Sequence, residues 1–352
     1  MILEEMLTLA VQKEASDIFM VVGQPVSFKM EGTIEKQGEA ILLPNQMEEL
    51  VNQLYGMAHR DTIYRKDGDD DFSVSLSKVG RFRVNVFRQR GSWSAILRVV
   101  KFDLPSVEQM RIPSSVLSLA EKKKGMILVT GPAGSGKSTT LAYLIDQINR
   151  TRNCHILTLE DPIEFLHSHK QSIVCQREIG IDSVGYNRAL RAALREAPDV
   201  ILVGEMRDFE TIEIAMTAAE TGHLVLSSLH TIGAGNTIDR IIDVFPAEQQ
   251  PQIRLQLAMV LQSVISQQLL PNKQGKMVPA FEIMHANQAV QNLIREGKMH
   301  QMKNTISSCG AEGMISMDKS ILTLYEQGEI TAETALSCCM DQGTMMKNLK
   351  KF

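Results

Sequence analysis

Residues 125–140 read GMILVTGPAGSGKSTT, and this stretch determines how the rest of the chain is interpreted. A short apolar run, typical of a buried strand, leads into a glycine-rich loop that opens into a helical segment. The pattern G-x-x-x-x-G-K-[ST] is matched by Gly131, Gly136, Lys137 and Ser138. Glycines in such a loop let successive backbone N–H groups point at phosphate oxygens. The stretch therefore predicts a phosphate-binding loop and a bound nucleotide.

The residue types in the loop indicate which nucleotide and which metal it binds. Lys137 is placed to neutralise the β and γ phosphates, and Ser138 can supply an oxygen ligand to Mg²⁺. ATP and Mg²⁺ are thus the predicted cofactors. The residues predicted to contact the nucleotide here are Gly131, Pro132, Ala133, Gly134, Ser135, Gly136, Lys137, Ser138 and Thr139.

Hydrolysis also requires a carboxylate that holds the Mg²⁺ shell or orients water, and two strands each end in a suitable residue. Glu205 follows VILVG at the predicted carboxyl edge of a sheet, where open α/β sheets bind ligands. We predict that it is the catalytic carboxylate and that it contacts the Mg²⁺ shell through water. Glu160, which follows ILTL, is the alternative catalytic residue. Either acid could instead cap the helix that follows it.

Further polar residues lie next to these strand ends. Asp161 and Glu164 continue the acidic cluster of Glu160 and are predicted to contact the cofactor. His223 and His230 bracket the strand HLVLSSLH, and their odd spacing predicts that they serve different ends of it. We predict that His230 senses the γ-phosphate and assign His223 to cofactor binding. For each, the alternative is a hydrogen-bonded structural histidine.

Composition excludes several classes of protein. The 352 residues carry 37 basic and 41 acidic side chains, a formal net charge of −4, and no long basic run, which argues against a nucleic-acid binder. The five cysteines contain no CxxC pair, so neither a disulfide framework nor a zinc knuckle is predicted. The start, MILEEML, is unlike a signal peptide, and glutamines interrupt the most apolar segment, 255–270. We expect a cytoplasmic protein with only peripheral membrane contact.

The chain is long enough for two domains, and its pattern changes along its length. Residues 1–105 alternate between strand and helix signals, with apolar alternation at Phe82, Val84 and Val86, and predict a small α+β domain. A linker is predicted at 106–113. Residues 114–270 interleave continuous apolar strands with helices, which indicates a parallel sheet covered on both faces. Residues 271–352 are predicted to be a mostly helical subdomain.

The order of four motifs resembles that of one protein family. GPAGSGKST, TLEDPIEF, REAPDVILVGEMRDFET and TAAETGHLVLSSLHT resemble the Walker A, Asp box, Walker B and His box of secretion and type IV pilus ATPases. The resemblance extends upstream to GRFRVNVFRQRG and downstream to AVQNLIREG, and so covers nearly the whole chain. It is greatest to the PilT family of pilus retraction ATPases, because AVQNLIRE is similar to AIRNLIRE and no zinc module or long extra amino-terminal domain is present. Gln291 stands where that family usually has arginine.

The resemblance implies a fold, an assembly and further site residues. It implies a PAS-like amino-terminal domain, a RecA-like P-loop ATPase domain and a homo-hexameric ring at the inner face of the cytoplasmic membrane. The implied partner is an inner-membrane pilus platform protein, and a PilU-like paralogue or an assembly ATPase could be a further partner. Arginine suits the binding of phosphate oxygens in a transition state. The residues that match family arginines are Arg83 and Arg98 as catalytic groups, and Arg191 and Arg195 as cofactor-binding groups.

These implications favour an ATP-driven motor that withdraws pilin subunits, and they leave alternatives. The departure at Gln291 is compatible with a PilU-like accessory retraction ATPase, and an assembly or secretion ATPase shares the same fold. A nucleic-acid motor is disfavoured by the charge, and a nucleotide-sensing module without turnover by the retained Glu205 and arginines. The segment AVQNLIRE predicts an amphipathic helix with Val290, Leu293 and Ile294 on its apolar face and Gln291 and Arg295 on its polar face. It either transmits motion or only packs on its own domain.

Overall fold

Our computed structural model describes residues 3–30, 32–60, 68–100, 104 and 110–350. Residues 106–109 of the predicted linker lie outside the described residues. The chain divides into two units, which are described separately below: residues 1–103 with 164–166, and residues 104–163 with 167–352.

In the first unit, the helices are α1 (Leu3–Gln12) and α2 (Pro44–Met57), and the strands are β1 (Asp17–Val21), β2 (Pro25–Met30), β3 (Thr33–Ile41), β4 (Asp69–Leu76), β5 (Gly80–Gln89) and β6 (Ser92–Val100). In the second unit, the strands are β7 (Gly125–Thr130), β8 (His155–Glu160), β9 (Ile173–Glu178), β10 (Val200–Val203), β11 (Leu224–Leu229), β12 (Leu261–Pro271) and β13 (Met277–His285). Its helices are α3 (Ser114–Leu117), α4 (Lys137–Thr151), α5 (Tyr186–Ala193), α6 (Phe209–Glu220), α7 (Ala234–Asp243), α8 (Gln250–Val260), α9 (Gln288–Glu296), α10 (Met302–Ser308), α11 (Met317–Glu326), α12 (Ala332–Cys338) and α13 (Gln342–Leu349).

The first unit is an antiparallel sheet that buries one face against its two helices. The strand order is β3-β2-β1-β6-β5-β4. Phe82, Val84 and Val86 are fully buried, whereas Arg83 between them is exposed, as a period of two requires for a sheet with one covered face. Leu7 of α1 and Leu54 of α2 are buried in the same core. The predicted small α+β domain is confirmed.

The second unit contains a seven-stranded sheet with the order β13-β12-β7-β11-β10-β8-β9, parallel except for β13. Every residue of β7, β10 and β11 is buried. Successive side chains of β7 enter opposite cores: Met126 and Leu128 lie in one apolar cluster, and Ile127 and Val129 in another. The sheet is therefore covered on both faces, and the α/β prediction is confirmed.

Two strands of this sheet differ from the expectations. β9 was not predicted, because its sequence IVCQRE has the polar composition of an exposed edge strand. β13, whose sequence VPAFEIMH has a strand-like pattern, lies within the segment 271–352 that we predicted to be mostly helical, and it pairs along its whole length with β12. The helical character of the carboxyl-terminal region holds from α9 to α13, where Met317 and Ile321 pack against Val278 of β13.

The described residues contain no helix that is both long and apolar enough to cross a membrane.

Candidate active site

The glycine-rich loop joins β7 to α4 and rests against β12. Gly131, Gly134 and Gly136 have φ values of 141°, 75° and 90°, a region that favours glycine. A Cβ on Gly131 would lie 2.7 Å from Ser135 Oγ and would collide with the carbonyl oxygen of Gln267. A Cβ on Gly136 would lie 2.8 Å from Gln267 Nε2. Two of these glycines therefore allow the loop to approach β12 closely.

Lys137, the first residue of α4, directs its ammonium back over the loop. Its Nζ donates hydrogen bonds to the carbonyl oxygens of Gly131 at 2.9 Å and Pro132 at 3.0 Å. The side chain is buried. Burial of a cation is costly unless its N–H groups are hydrogen-bonded, and these two carbonyls hold the Lys137 ammonium at the start of α4. The dipole of α4 favours an anion at the same end of the helix. Ser138, next along α4, is half-buried.

Three buried polar atoms next to this loop have no hydrogen-bond partner within the described ranges: Thr130 Oγ1, Ser135 Oγ and Gln267 Nε2. Buried polar groups are almost always satisfied, so three unpartnered polar atoms beside one loop fit a site that binds an anionic ligand. Gln267 is held in place because its Oε1 accepts a 2.7 Å hydrogen bond from Thr140 Oγ1. Sequence reasoning missed Gln267. The available signal was the pair of adjacent glutamines, Gln267 and Gln268, in the strand sequence LQSVISQQLLP.

Glu205 lies immediately after β10, in a turn held by the strands on both sides. The Gly204 amide donates to the Leu159 carbonyl at 2.8 Å, and Ser228 Oγ donates to the Gly204 carbonyl at 2.6 Å. Glu205 Oε2 lies 2.7 Å from Arg207 Nε and 3.6 Å from His230 Nε2. The structure thus brings Glu205 and His230 together at the carboxyl edge of the sheet.

Glu160 ends the adjacent strand β8, which pairs with β10 in parallel register. Its Oε1 accepts hydrogen bonds from Thr158 Oγ1 at 2.6 Å and Gln176 Nε2 at 3.3 Å. Asp161 follows it and is exposed. Since Gln176 belongs to β9, a side chain of the strand that the sequence analysis did not predict helps to orient one of the two candidate carboxylates.

Tyr186, the first residue of α5, was not identified from the sequence. A Cβ on Gly204 would lie 3.0 Å from Tyr186 Oη, so the phenol occupies space that the glycine leaves open. Burial, and then the charges of Glu205, Asp161 and Glu160, raise the pKa of Tyr186 well above its usual value. The phenol therefore stays protonated beside three carboxylates. No sequence signal separates this tyrosine from an ordinary helix residue.

Comparison with known proteins assigns the chain to a family. The family model described as "Type II/IV secretion system protein" matches residues 1–317. The chain belongs to this family. The Pseudomonas aeruginosa pilus retraction ATPase PilT is 43% identical over 331 residues, which cover 94% of this chain and 96% of the relative. A Neisseria gonorrhoeae twitching motility protein is 50% identical over 278 residues, or 79% of this chain and 74% of the relative.

A solved structure shares the fold of this type II/IV secretion family member. The pilus retraction motor PilT with bound ADP has a TM-score of 0.87 and 44% identity, and the match covers 99% of both chains. The expected architecture is confirmed: a small PAS-like α+β domain, a RecA-like P-loop ATPase domain and a helical carboxyl-terminal region.

Among the residues that the family resemblance implied, two lie in the second unit away from the loop. Arg191 of α5 pairs with Glu210 of α6 at 2.8 Å, and Arg195, two residues beyond the end of α5, is exposed. Neither forms a hydrogen bond or ion pair with the phosphate-binding loop within the described chain. Their role in this type II/IV secretion protein stays a prediction.

His223 lies at the other edge of the sheet from the phosphate-binding loop of its own chain, and its assignment to cofactor binding stays a prediction. His223 precedes β11, and its Nδ1 lies 2.9 Å from the carbonyl oxygen of Ala218 near the end of α6. The His223 carbonyl accepts from the amide of Gly125, the first residue of β7. Parallel strands place His223 at the amino edge of the sheet, whereas the loop lies at the carboxyl edge.

Arg83, Arg98 and Glu164 belong to the first unit. Arg98 Nε lies 2.9 Å from Asp17 Oδ1, and the Arg98 side chain is 68% exposed. Arg83 and Glu164 are also exposed. Their participation in the nucleotide site stays a prediction.

Proposed function

We propose that this chain is the ATP-driven motor of type IV pilus retraction. The observation that carries the proposal is the convergence of the phosphate-binding loop, Glu205 and His230 on one sheet edge, in a chain that matches the retraction ATPase PilT over almost its full length. This arrangement fits phosphoryl transfer to water, which requires a phosphate cradle and a carboxylate at the same edge.

In this proposal each residue of the loop has a separate task. The loop from Gly131 to Thr139 surrounds the phosphates of ATP and binds them through its backbone N–H groups, which every residue except Pro132 carries. Lys137 leaves its loop carbonyls to neutralise the β and γ phosphates. Ser138 supplies a hydroxyl ligand to Mg²⁺, the hard cation that such oxygens suit. Bound Mg²⁺ would supply Lewis-acid stabilisation of charge on the phosphates.

Glu205 is proposed to orient the attacking water and to contact the Mg²⁺ shell through water. Its Oε1 has no hydrogen bond within the described part of the chain, whereas Oε2 is bound by Arg207. His230, beside Glu205, would sense the γ-phosphate. Glu160, with Asp161 and Glu164 after it, is the second candidate for the catalytic carboxylate and for cofactor contacts.

Arginines are proposed to complete the site in a homo-hexamer. Arg83 and Arg98 would contribute from the amino-terminal domain. Arg191 on α5 and Arg195, two residues after that helix, are exposed, where a neighbouring subunit could be reached. Closure of the amino-terminal domain, with predicted boundaries 1–105 and a linker at 106–113, would couple hydrolysis to rigid-body motion. The ring would act on a pilus platform protein at the inner face of the cytoplasmic membrane.

Deletion of the gene tests the direction of the motor. Loss of a retraction motor should leave immobile cells that carry excess pili. Loss of an assembly motor should leave cells without pili. Complementation with the wild-type chain should restore movement, and complementation with Glu205→Gln should not. Bare cells after deletion would contradict retraction, and full complementation by Glu205→Gln would contradict a need for hydrolysis.

A further inference from the structure

Helix α7 begins four residues after His230, and its amino end is capped by side chains from other strands. Its N-cap residue is Gly233, which has no side chain to accept the amide hydrogen bonds that the first turn of a helix leaves open. Ser266 Oγ on β12 accepts from the Gly233 amide at 2.9 Å, and Glu282 Oε1 on β13 accepts from the Ala234 amide at 2.8 Å. The sheet therefore sets the position of α7.

These two caps lie beside the strand that leads into the phosphate-binding loop. Ser266 stands opposite Glu282 in the register of β12 and β13, and opposite Thr130, the last residue of β7, in the register of β12 and β7. Directly opposed residues of an antiparallel pair share one face of the sheet. Ser266 is fully buried and Glu282 is 8% exposed. The caps thus fix the start of α7 relative to the strand that carries the loop.

The second oxygen of Glu282 binds a different helix. Its Oε2 accepts from the Met317 amide, at the start of α11, at 3.4 Å. The same segment pairs with β13, because Ile283 and Ile315 exchange two backbone hydrogen bonds, at 2.8 and 3.1 Å. Burial of a carboxylate is costly unless it is hydrogen-bonded, and the positive ends of two helix dipoles offset that cost. One side chain therefore joins α7 to a helix of the carboxyl-terminal region.

The link from α7 back to His230 is short and is itself hydrogen-bonded. Thr231, the next residue, has its Oγ1 2.7 Å from Oγ1 of Thr237, in the first turn of α7. Thr237 Oγ1 also donates to the Gly233 carbonyl at 2.8 Å. The residue after His230 is thus attached to the helix, and a displacement of α7 also displaces His230.

We propose that Glu282 is a positioning residue of the ATPase site: it holds α7, and through α7 it holds His230 beside Glu205. His230 Nε2 lies 3.6 Å from Glu205 Oε2 in this arrangement. The inference rests on the proposed role of His230. Without its caps, the first turn of α7 is free to shift against the sheet, and misplacement of an active-site group by about 1 Å can cost about a hundredfold in rate.

Glu282→Met tests this role because it keeps the length of the side chain and removes both acceptor oxygens. In the full chain we expect kcat to fall by about tenfold or more. ATP affinity should stay within about twofold, because the phosphate-binding loop is unaltered. In a His230→Ala background the same substitution should change kcat by less than about twofold, since a group that acts through His230 has no further effect once that side chain is removed.

A matched pair of serines separates the two helices that Glu282 caps. Ser266→Ala removes the other cap of α7 alone and should lower kcat in the same direction as Glu282→Met. Ser316→Ala removes the hydroxyl that accepts from the Lys319 amide at the start of α11, at 3.4 Å, and should leave kcat unchanged. Both serines are buried and both cap a helix, so the comparison isolates α7.

Three results would overturn the inference. These are a wild-type kcat in Glu282→Met, an equal loss of kcat with and without His230, and equal effects of the two serine substitutions; the last two would mean that Glu282 only stabilises its domain. If Glu282→Met does not fold, Ser266→Ala with and without His230→Ala decides in the same way. If His230→Ala slows hydrolysis and Glu282→Met does not, only the role of Glu282 fails; if His230→Ala hydrolyses ATP at the wild-type rate, the role of His230 fails as well.

Discussion

Arg83 stands directly opposite Arg98 in the antiparallel register of β5 and β6, so two like charges are cross-strand neighbours on one face of the sheet. Like charges in this position destabilise a sheet by about 0.2–1 kcal/mol. Asp17 partly compensates Arg98, which it faces in the β1–β6 register, whereas Arg83 has no ion-pair partner within the described ranges. Such a pair fits an anion-binding surface better than a structural one.

Arg83→Ala should therefore separate stability from catalysis. We expect kcat to fall much more than ATP affinity, because arginine acts on the charge that develops during phosphoryl transfer. The melting temperature of the amino-terminal domain should be unchanged or higher, because a like-charge contact is removed. Calorimetry, turnover and nucleotide titration measure these effects, and Arg81→Ala, two residues away on the same strand, is the control. A chain beginning near Pro113 that hydrolysed ATP at the full rate would exclude any contribution of Arg83.

Lys137→Ala and Glu205→Gln should have different effects on ATP binding and on ATP hydrolysis. Lys137→Ala removes the cation at the β and γ phosphates, so ATP binding should become too weak to measure at micromolar nucleotide. Glu205→Gln keeps the shape and should bind ATP normally, yet hydrolyse it at least about a hundredfold more slowly. Equilibrium binding and single-turnover assays distinguish the two. Normal hydrolysis by Glu205→Gln would transfer the catalytic role to Glu160.

The close contact of the loop with β12 predicts different tolerance at two glycines. Gly131→Ala should destabilise the ATPase domain by about 1–3 kcal/mol beyond the cost of Gly134→Ala, because only the former places a Cβ against the backbone of Gln267. A Cβ on Gly134 meets nothing within 4 Å, and both positions have a positive φ, so the backbone strain is shared. Chemical denaturation of the two variants measures the difference. Equal stability would mean that the loop can move away from β12.

Gln267 should support the loop in two separable ways. Gln267→Leu leaves the buried Thr140 hydroxyl without its acceptor, which should cost about 1–3 kcal/mol of stability, and it removes the donor Nε2 beside Gly136. In the double variant Thr140→Val and Gln267→Leu, both partners are apolar, so stability should largely return while ATP affinity stays reduced. Gln268→Leu, the half-buried neighbour, is the control. Recovery of ATP affinity together with stability would show that Nε2 has no role in the nucleotide site.

The sequence alone predicted the position of those residues whose role depends only on the segment that contains them. The apolar runs of β10 and β11 predicted buried parallel strands, and the residues after them, Glu205 and His230, do meet at one edge. Gln267 and Tyr186 could not be found in this way, because each acquires its role by contact with a distant segment, at Gly136 and Gly204 respectively. The odd spacing of His223 and His230 predicted that they serve different ends of β11, and the six residues of the strand do place them at opposite edges of the sheet.

The helix α9 contains the segment AVQNLIRE. One side of the helix packs on its own domain, so residues on the other side can be substituted to test whether that surface has a function. Val290 and Ile294 are fully buried and Leu293 is half-buried, so the predicted apolar face is confirmed. The predicted polar face is partly wrong: Gln291 is half-buried and its Nε2 donates to the Ala286 carbonyl at 3.2 Å, so it belongs to the anchoring side. Arg295 bonds only to Asn292, at 2.9 Å, within the described chain.

Arg295→Ala should leave this helix folded, because its capping does not depend on Arg295. Asn287 Oδ1 accepts from the Val290 amide at 3.0 Å at one end, and Gly297 ends the helix with φ of 68° at the other. If α9 transmits motion to the pilus machinery, the variant should form a ring and keep most of its ATPase activity, yet cells that carry it should not retract pili. Asn292→Ala, which removes the partner and keeps the charge, should retract normally. Parallel loss of ATPase activity and retraction would place Arg295 in the nucleotide site or the core, and normal retraction would mean that α9 serves only to pack its domain.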